Sequence, residues 1–217
     1  MDKKPTKGEY LGILLRSHRT VFTTKDVALL WGEERGNTVS ARLNKYAHAG
    51  KLIRVRRGLY AKDKNYDKFE LATRIYTPSY ISFETVLTRS GINFQYYDTI
   101  FVASYISREI RADGQKIKFI RMKNYVLSNT ISIDHQTGYA IATKERAFLD
   151  RIYVSKDYHF DNLNSLDWDK VFQILTIYNN KRMVKKVNEY FKHFKIYDIE
   201  PLNTQKYTSP DSQGNLH

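Results

Sequence analysis

Residues 37–61 read NTVSARLNKYAHAGKLIRVRRGLYA, and this stretch carries the clearest indication of a fold in the chain. Its first half has apolar residues at helical spacing and ends at Gly50, a residue at which helices commonly stop. Its second half holds two short runs with strand propensity, joined at Arg57 and Gly58, where glycine supplies the positive φ of a tight turn. We therefore predict a helix that Asn37 caps, followed by a β-hairpin.

Two further helices are predicted before this stretch. Apolar spacing indicates a first helix from Gly8 to about Arg19 and a second helix that Thr24 caps and Gly32 ends. The order helix, helix, helix, hairpin is that of a winged helix-turn-helix. We assign this fold to residues 1–62.

The rest of the chain is predicted to form a second domain of strands and helices over residues 67–195, which makes the fold class α+β. The elements expected after a linker at 62–68 are a helix at 69–76, a helix that Ser82 caps, strands at 99–105, 106–110, 117–122 and 139–142, a helix that Thr143 caps, and two closing helices opened by Asp167 and by Asn179 and Asn180. Residues 196–217 are expected to form a mobile tail or to dock a partner.

The charge distribution indicates a polyanionic partner. The 217 residues carry a formal net charge of +13, and residues 1–62 hold 14 Lys or Arg against 5 Asp or Glu, a surplus of +9. Such a surplus favours nucleic acid, although a solvated basic surface without a partner would have the same composition.

The predicted third helix and hairpin place polar and basic side chains on one side. On a helical wheel with Val39 and Leu43 turned inward, short polar residues and cations point outward and suit the major groove. In the hairpin, arginines alternate with Ile53 and Val55, which suits a wing against phosphates or the minor groove. The predicted DNA-binding residues are Asn37, Thr38, Arg42, Asn44, Lys45, Arg54, Arg56 and Arg57.

No catalytic chemistry is expected. The absence of cysteine excludes disulfides and thiolate zinc sites, and no two of the six histidines have the spacing of a metal-binding pair on a helix. A glycine-rich phosphate loop, a Gly-x-Ser-x-Gly elbow and a Glu-x-Lys or Gln-x-Lys nuclease motif are all missing from the sequence. We expect no metal, no cofactor and no enzyme activity, and, with no long apolar run, a cytoplasmic protein without a membrane contact.

Two other functions remain open on these residues. The winged helix could dock a partner protein instead of DNA. The basic side of the final helix, over residues 181–195, could bind RNA, DNA or an acidic protein surface, or could be a solvated face without a partner.

Several short motifs resemble one known family. They are 22–28 (FTTKDVA), 39–43 (VSARL), 50–60 (GKLIRVRRGLY), 78–87 (PSYISFETVL) and 142–150 (ATKERAFLD). Their order is similar to that of AbiEi-type antitoxins, which are transcriptional regulators with a winged-helix start.

The resemblance implies a function that the residues alone do not. A member of this family represses its own two-gene operon by binding inverted repeats in double-stranded DNA, and counteracts a nucleotidyltransferase-like toxin encoded beside it, as part of abortive infection in phage defence. Residues 67–195 would then be an antitoxin-like domain, in which no single residue is assigned a role against the toxin.

Overall fold

The computed structural model describes residues 6, 8–155 and 157–199. Of the tail predicted at 196–217, only the first four residues belong to this described part, at the end of the last helix. None of the described helices is long and apolar enough to cross a membrane.

The first part of the chain is a winged helix-turn-helix. Its elements are α1 (Glu9–Arg16), β1 (Val21–Thr23), α2 (Thr24–Trp31), α3 (Gly36–His48), β2 (Ile53–Arg56) and β3 (Leu59–Ala61). The three strands form an antiparallel sheet in the order β1-β3-β2, and Gly58 turns the β2–β3 hairpin at a φ of 76°. The strand β1, which the sequence analysis did not predict, completes this sheet.

Two of the predicted helix caps are wrong. Thr23, and not Thr24, caps α2: its side chain accepts from the Asp26 backbone N–H at 3.1 Å, and the Asp26 carboxylate accepts from the Thr23 N–H at 2.8 Å. Helix α3 begins one residue before Asn37, with Arg35 at the cap position and no side-chain cap. In the turn before α3, the Glu33 carboxylate accepts from the Arg35 N–H.

The second part is built on a mixed sheet. Its elements are α4 (Lys68–Ile75), β4 (Ser79–Ile81), α5 (Glu84–Arg89), β5 (Thr99–Ser104), β6 (Arg108–Ala112), β7 (Gln115–Arg121), α6 (Asn124–Leu127), β8 (Ile133–His135), β9 (Ala140–Ala142), α7 (Lys144–Val154), α8 (Trp168–Leu175) and α9 (Lys181–Ile199), with a 3₁₀ turn at Thr176–Tyr178. The six strands run in the order β6-β7-β5-β4-β9-β8, with β5–β7 and β4–β9 parallel. The α+β class with an N-terminal winged helix and helices at the end is confirmed.

Caps in this second part are partly as predicted. Thr143 and Asp167 accept from backbone N–H groups in the first turns of α7 and α8. Ser82 does not cap α5, because the cap position is Phe83, at a φ of 54°. The Ser82 hydroxyl points into the core and donates to Asp150 at 2.7 Å, a bond that competes with capping.

The small sheet of the winged helix lies between two hydrophobic cores. Phe22 and Tyr60 belong to the core of the winged helix, together with Val39 and Leu43 of α3. Their neighbours on the same strands point the other way, and Val21, Leu59 and Ala61 are buried in the core of the second part. Because side chains alternate along a strand, the back of this sheet is covered by the second part of the molecule.

The segment predicted as a linker is fixed by hydrogen bonds. The Asp67 backbone N–H donates to Thr20 Oγ1 at 2.9 Å. One carboxylate oxygen of Glu70, which is 1% exposed, accepts from the N–H and the hydroxyl of Thr20, both at 2.7 Å, and from the Val21 N–H at 3.2 Å. A Cβ at Gly138 would lie 2.7 Å from the carboxylate carbon of Glu70, so only glycine fits there.

Ion pairs join the two parts as well. Arg74 of α4 contacts Glu70 at 3.1 Å and Asp26 of α2 at 2.8 Å, and Arg19 contacts Asp26 at 3.1 Å. Burial alone would raise the pKa of Asp26, but hydrogen bonds from Thr23 and the two arginine cations hold this pKa below its ordinary value.

Candidate nucleic-acid interface

Helix α3 turns the expected side chains outward. Val39 and Leu43 are fully buried in the winged-helix core. The residues on the opposite side are exposed, and they are Asn37, Thr38, Ala41, Lys45 and His48. Both short polar residues, Asn37 and Thr38, lie in the first turn, where free backbone N–H groups and the positive end of the helix dipole favour a phosphate or a base edge.

Two predicted contact residues of α3 have partners inside the protein. The guanidinium carbon of Arg42 lies 3.6 Å from the ring centroid of Tyr10 and 5.6 Å from that of Trp31. The amide oxygen of Asn44 accepts from the Tyr60 hydroxyl at 2.7 Å. Arg42 therefore joins α3 to α1 and α2 through cation–π contacts, while Asn44 joins α3 to the hairpin.

The aromatic platform under Arg42 was not predicted. Tyr10 and Trp31 meet edge to face at 5.0 Å, and the Trp31 indole N–H donates to the Tyr10 carbonyl at 2.9 Å. The sequence carries no signal that places Tyr10 and Trp31 beside an arginine of another helix.

The arginines of the hairpin differ in exposure. Arg54 and Arg57 are exposed, whereas Arg56 is half-buried. Arg56 and Arg57 both line a cleft with Thr24 and Tyr76. The reason is a bulge in β2: Arg54 pairs with Tyr60 and Arg56 pairs with Leu59, so regular alternation stops at Val55. Arg54 and Arg56 were expected to share one face, and this expectation is wrong because of the bulge.

Arg54 lies on the face of the small sheet that packs against α3. Directly paired residues on antiparallel strands point to the same face of the sheet, so Arg54 shares a face with Tyr60. The hydroxyl of Tyr60 in turn reaches Asn44, the neighbour of Lys45. We define the basic ridge as Lys45 of α3 with Arg54 and Arg57 of the hairpin.

Two of the six cations on the basic side of the final helix are bonded within the fold. The guanidinium of Arg182 donates to the carbonyls of Ile152, Tyr153 and Ser155 at 3.1 Å, at the C-terminal end of α7. Lys186 pairs with Asp157 at 3.4 Å. The cations that remain on the exposed side are Lys181, Lys185, Lys192 and Lys195.

The described residues hold no metal-binding constellation. None of them form a group of three or more histidines, aspartates or glutamates that could hold an ion. The strongly desolvated charges in the second part, Arg146 and Asp150, are bonded to each other and to neighbouring hydroxyls and carbonyls. This cluster lies in the core and joins elements of the fold.

Three helices followed by a hairpin wing define the class of winged helix-turn-helix proteins, a fold typical of DNA-binding regulators. Within this class, residues 11–61 match the model of a family described as "Transcriptional regulator, AbiEi antitoxin". The resemblance inferred from the motifs is thereby confirmed over this span, which runs from α1 to the end of β3.

The matched family is described as one of antitoxin transcriptional regulators. The match covers about a quarter of the 217 residues and ends before α4. Comparison with curated proteins found no match.

Proposed function

We propose that this protein is the autorepressing antitoxin of an AbiE-type pair. It binds inverted repeats in the double-stranded DNA upstream of its own operon, and it counteracts a nucleotidyltransferase-like toxin encoded beside it. The DNA-binding part is supported by the exposed polar residues in the first turn of α3 together with the exposed cations Lys45, Arg54 and Arg57. The toxin and the autorepression follow from the family resemblance.

The proposed binding mode places α3 in the major groove. Asn37 and Thr38 then face base edges, and Lys45 reaches a base or a phosphate farther along the helix. The hairpin arginines Arg54 and Arg57 lie on the DNA backbone, where cations set register and affinity. Since one face of the sheet packs on the second part, the wing is held at a fixed angle to α3.

Three of the predicted contact residues receive a different role in this proposal. Arg42 and Asn44 position α3, because the Arg42 guanidinium lies over the Tyr10 ring and the Asn44 amide oxygen accepts from the Tyr60 hydroxyl. Arg56, half-buried beside Tyr76, supports the hairpin from inside the cleft. Their substitution is expected to act through the placement of the helix and the wing more than through lost contacts to DNA.

Charge reversal tests the DNA-binding part. The double variant Arg54→Glu/Arg57→Glu should lose at least about a hundredfold in affinity for the upstream promoter duplex, since each reversal removes a phosphate contact and adds repulsion. The matched control is Lys181→Glu/Lys185→Glu, which changes the same net charge on exposed residues of α9. Equal losses in both variants would indicate a non-specific charge effect and would contradict the proposed interface.

Co-expression tests the antitoxin part. If the adjacent gene encodes a nucleotidyltransferase-like protein that stops growth, this chain supplied from a second plasmid should restore growth. A toxin that remains lethal in the presence of the folded chain would overturn the antitoxin role and leave the DNA-binding role standing.

A module that acts through α9 is less favoured, because Arg182 and Lys186 on its basic side are already bonded within the fold.

A further inference from the structure

A cavity of about 460 Å³ opens beside the first turn of α4, between α5 and the start of β5. This volume lies within the range of small-ligand sites in proteins. Four aromatic side chains contribute to its lining, and they are Phe69, Tyr96, Tyr97 and Tyr139. The wall also includes carboxylates and two cations, so the cavity combines flat apolar surface with polar groups.

One wall of the cavity holds a carboxylate that is only partly satisfied. Glu84 is 4% exposed, and its Oε1 contacts Arg151 Nη1 at 3.3 Å. Its Oε2 is buried and has no hydrogen-bond partner among the described residues. This oxygen has less than 1 Å² of accessible surface, so a ligand in the cavity does not bond to it. Asp98, an exposed residue of the same wall, adds a second carboxylate.

The aromatic residues are arranged to receive a flat ring. Phe69 and Tyr139 meet edge to face at 5.5 Å, and the guanidinium carbon of Arg89 lies 4.9 Å from the Phe69 ring centroid, which fixes the position of that ring. Tyr96, in contrast, is 81% exposed at the rim of the cavity. An exposed tyrosine beside a polar cavity is free to stack on a planar ligand.

We propose that this cavity binds a mononucleotide. The base stacks on the aromatic rim and donates amino N–H groups to Asp98, while Lys68 and Arg89 face the phosphate. Neither an aliphatic ligand nor a sugar phosphate would use the exposed ring of Tyr96 as a stacking surface. The site requires no contact with DNA, so it stands independently of the proposed function.

The position of the cavity gives its occupant access to the winged helix. Asp67 and Phe69 line it, and the Asp67 N–H is bonded to Thr20, which immediately precedes β1. Glu70, one residue after Phe69, holds the backbone of Thr20 and Val21. A nucleotide in this cavity therefore lies against the segment that positions the sheet of the wing.

Titration of the ¹⁵N-labelled chain with GMP, AMP, CMP, UMP and ribose 5-phosphate, each up to about 5 mM, tests the proposal. At least one nucleotide whose base carries an amino group should give saturable shifts at residues 67–69, 84–89 and 96–100, and UMP should bind more weakly. No saturable shift with any nucleotide would overturn the proposal. Equal binding of ribose 5-phosphate would overturn it as well, because the phosphate alone would then explain the contact.

Variants locate the binding. Tyr96→Ala and Asp98→Asn should each weaken nucleotide binding by about fivefold or more, since a stacked ring or a charge-assisted hydrogen bond is lost. The control is Phe94→Ala, an exposed aromatic residue of the same loop that does not line this cavity. Wild-type affinity in both site variants, or the same loss in the control, would show that the cavity is not the site.

Discussion

Arg146 and Asp150 show how single residues hold the second part of the molecule together. Both side chains are fully buried on α7 and lie 3.3 Å apart. Complete burial raises the pKa of Asp150 above its ordinary value, against the opposing effects of Arg146 and three hydroxyl donors. Those donors are Ser82, Tyr80 and Tyr178, at 2.7 to 3.0 Å, while Arg146 also donates to the carbonyls of Val126 and Ile131. The cluster thereby joins α7 to β4, α6 and the 3₁₀ turn.

Removal of one member of this pair should be costly. Arg146→Met is expected to lower the free energy of unfolding by about 3–5 kcal/mol, because it leaves a buried carboxylate and two carbonyls without their partner. Urea denaturation followed by circular dichroism measures this change, with Arg121→Met, an exposed site on β7, as the control. A loss of less than about 1 kcal/mol in the free energy of unfolding would mean that the Arg146–Asp150 pair does not hold these elements together.

At the scale of elements, the period of the apolar residues was sufficient to predict α3 and the hairpin, since a buried face has a fixed spacing. The first residues of the helices were harder to predict. Several polar residues near each helix start could accept from the free backbone N–H groups, and tertiary contacts decide which of them does so. Ser82 is the clearest example: its hydroxyl is bonded to Asp150, far away in the sequence. The position of Arg56 depended on a bulge, for which the sequence carries no marker.

The wing should contribute to DNA affinity mainly through phosphate contacts. Replacing Arg54 by alanine removes one cation from an exposed strand position without opening a core. The expected result is a weaker dependence of log affinity on log salt concentration, with the slope reduced by about one unit. Fluorescence anisotropy with the promoter duplex over a salt series measures it. An unchanged slope would place Arg54 outside the interface.

At the scale of the whole molecule, the two parts share one small sheet. Its back is buried by the core of the second part, and Glu70 and Arg74 bond residues on the winged-helix side. These long-range contacts could not be predicted, because the alternation in Val21 and Phe22 indicates two faces without indicating what covers each of them. The composition of 62–68 suggested a linker, and its hydrogen bonds to Thr20 and Asp113 appear only in the folded chain.

A fragment that ends at residue 62 should therefore fold poorly. Val21, Leu59 and Ala61, which are at most 5% exposed in the whole chain, would face water in the fragment. We expect no cooperative thermal transition for the fragment and a single transition for the full chain, both measured by circular dichroism. A fragment with a sharp transition of its own would show that the winged helix is stable without the second part.

We propose that α3 and the hairpin form the surface that contacts DNA. The most direct test is a titration of the ¹⁵N-labelled full chain with the promoter duplex, in which the backbone amides that respond are identified. We predict that shifts and line broadening concentrate at residues 37–48 and 54–57. A response confined to residues 181–195, or spread evenly over all basic positions, would contradict the claim.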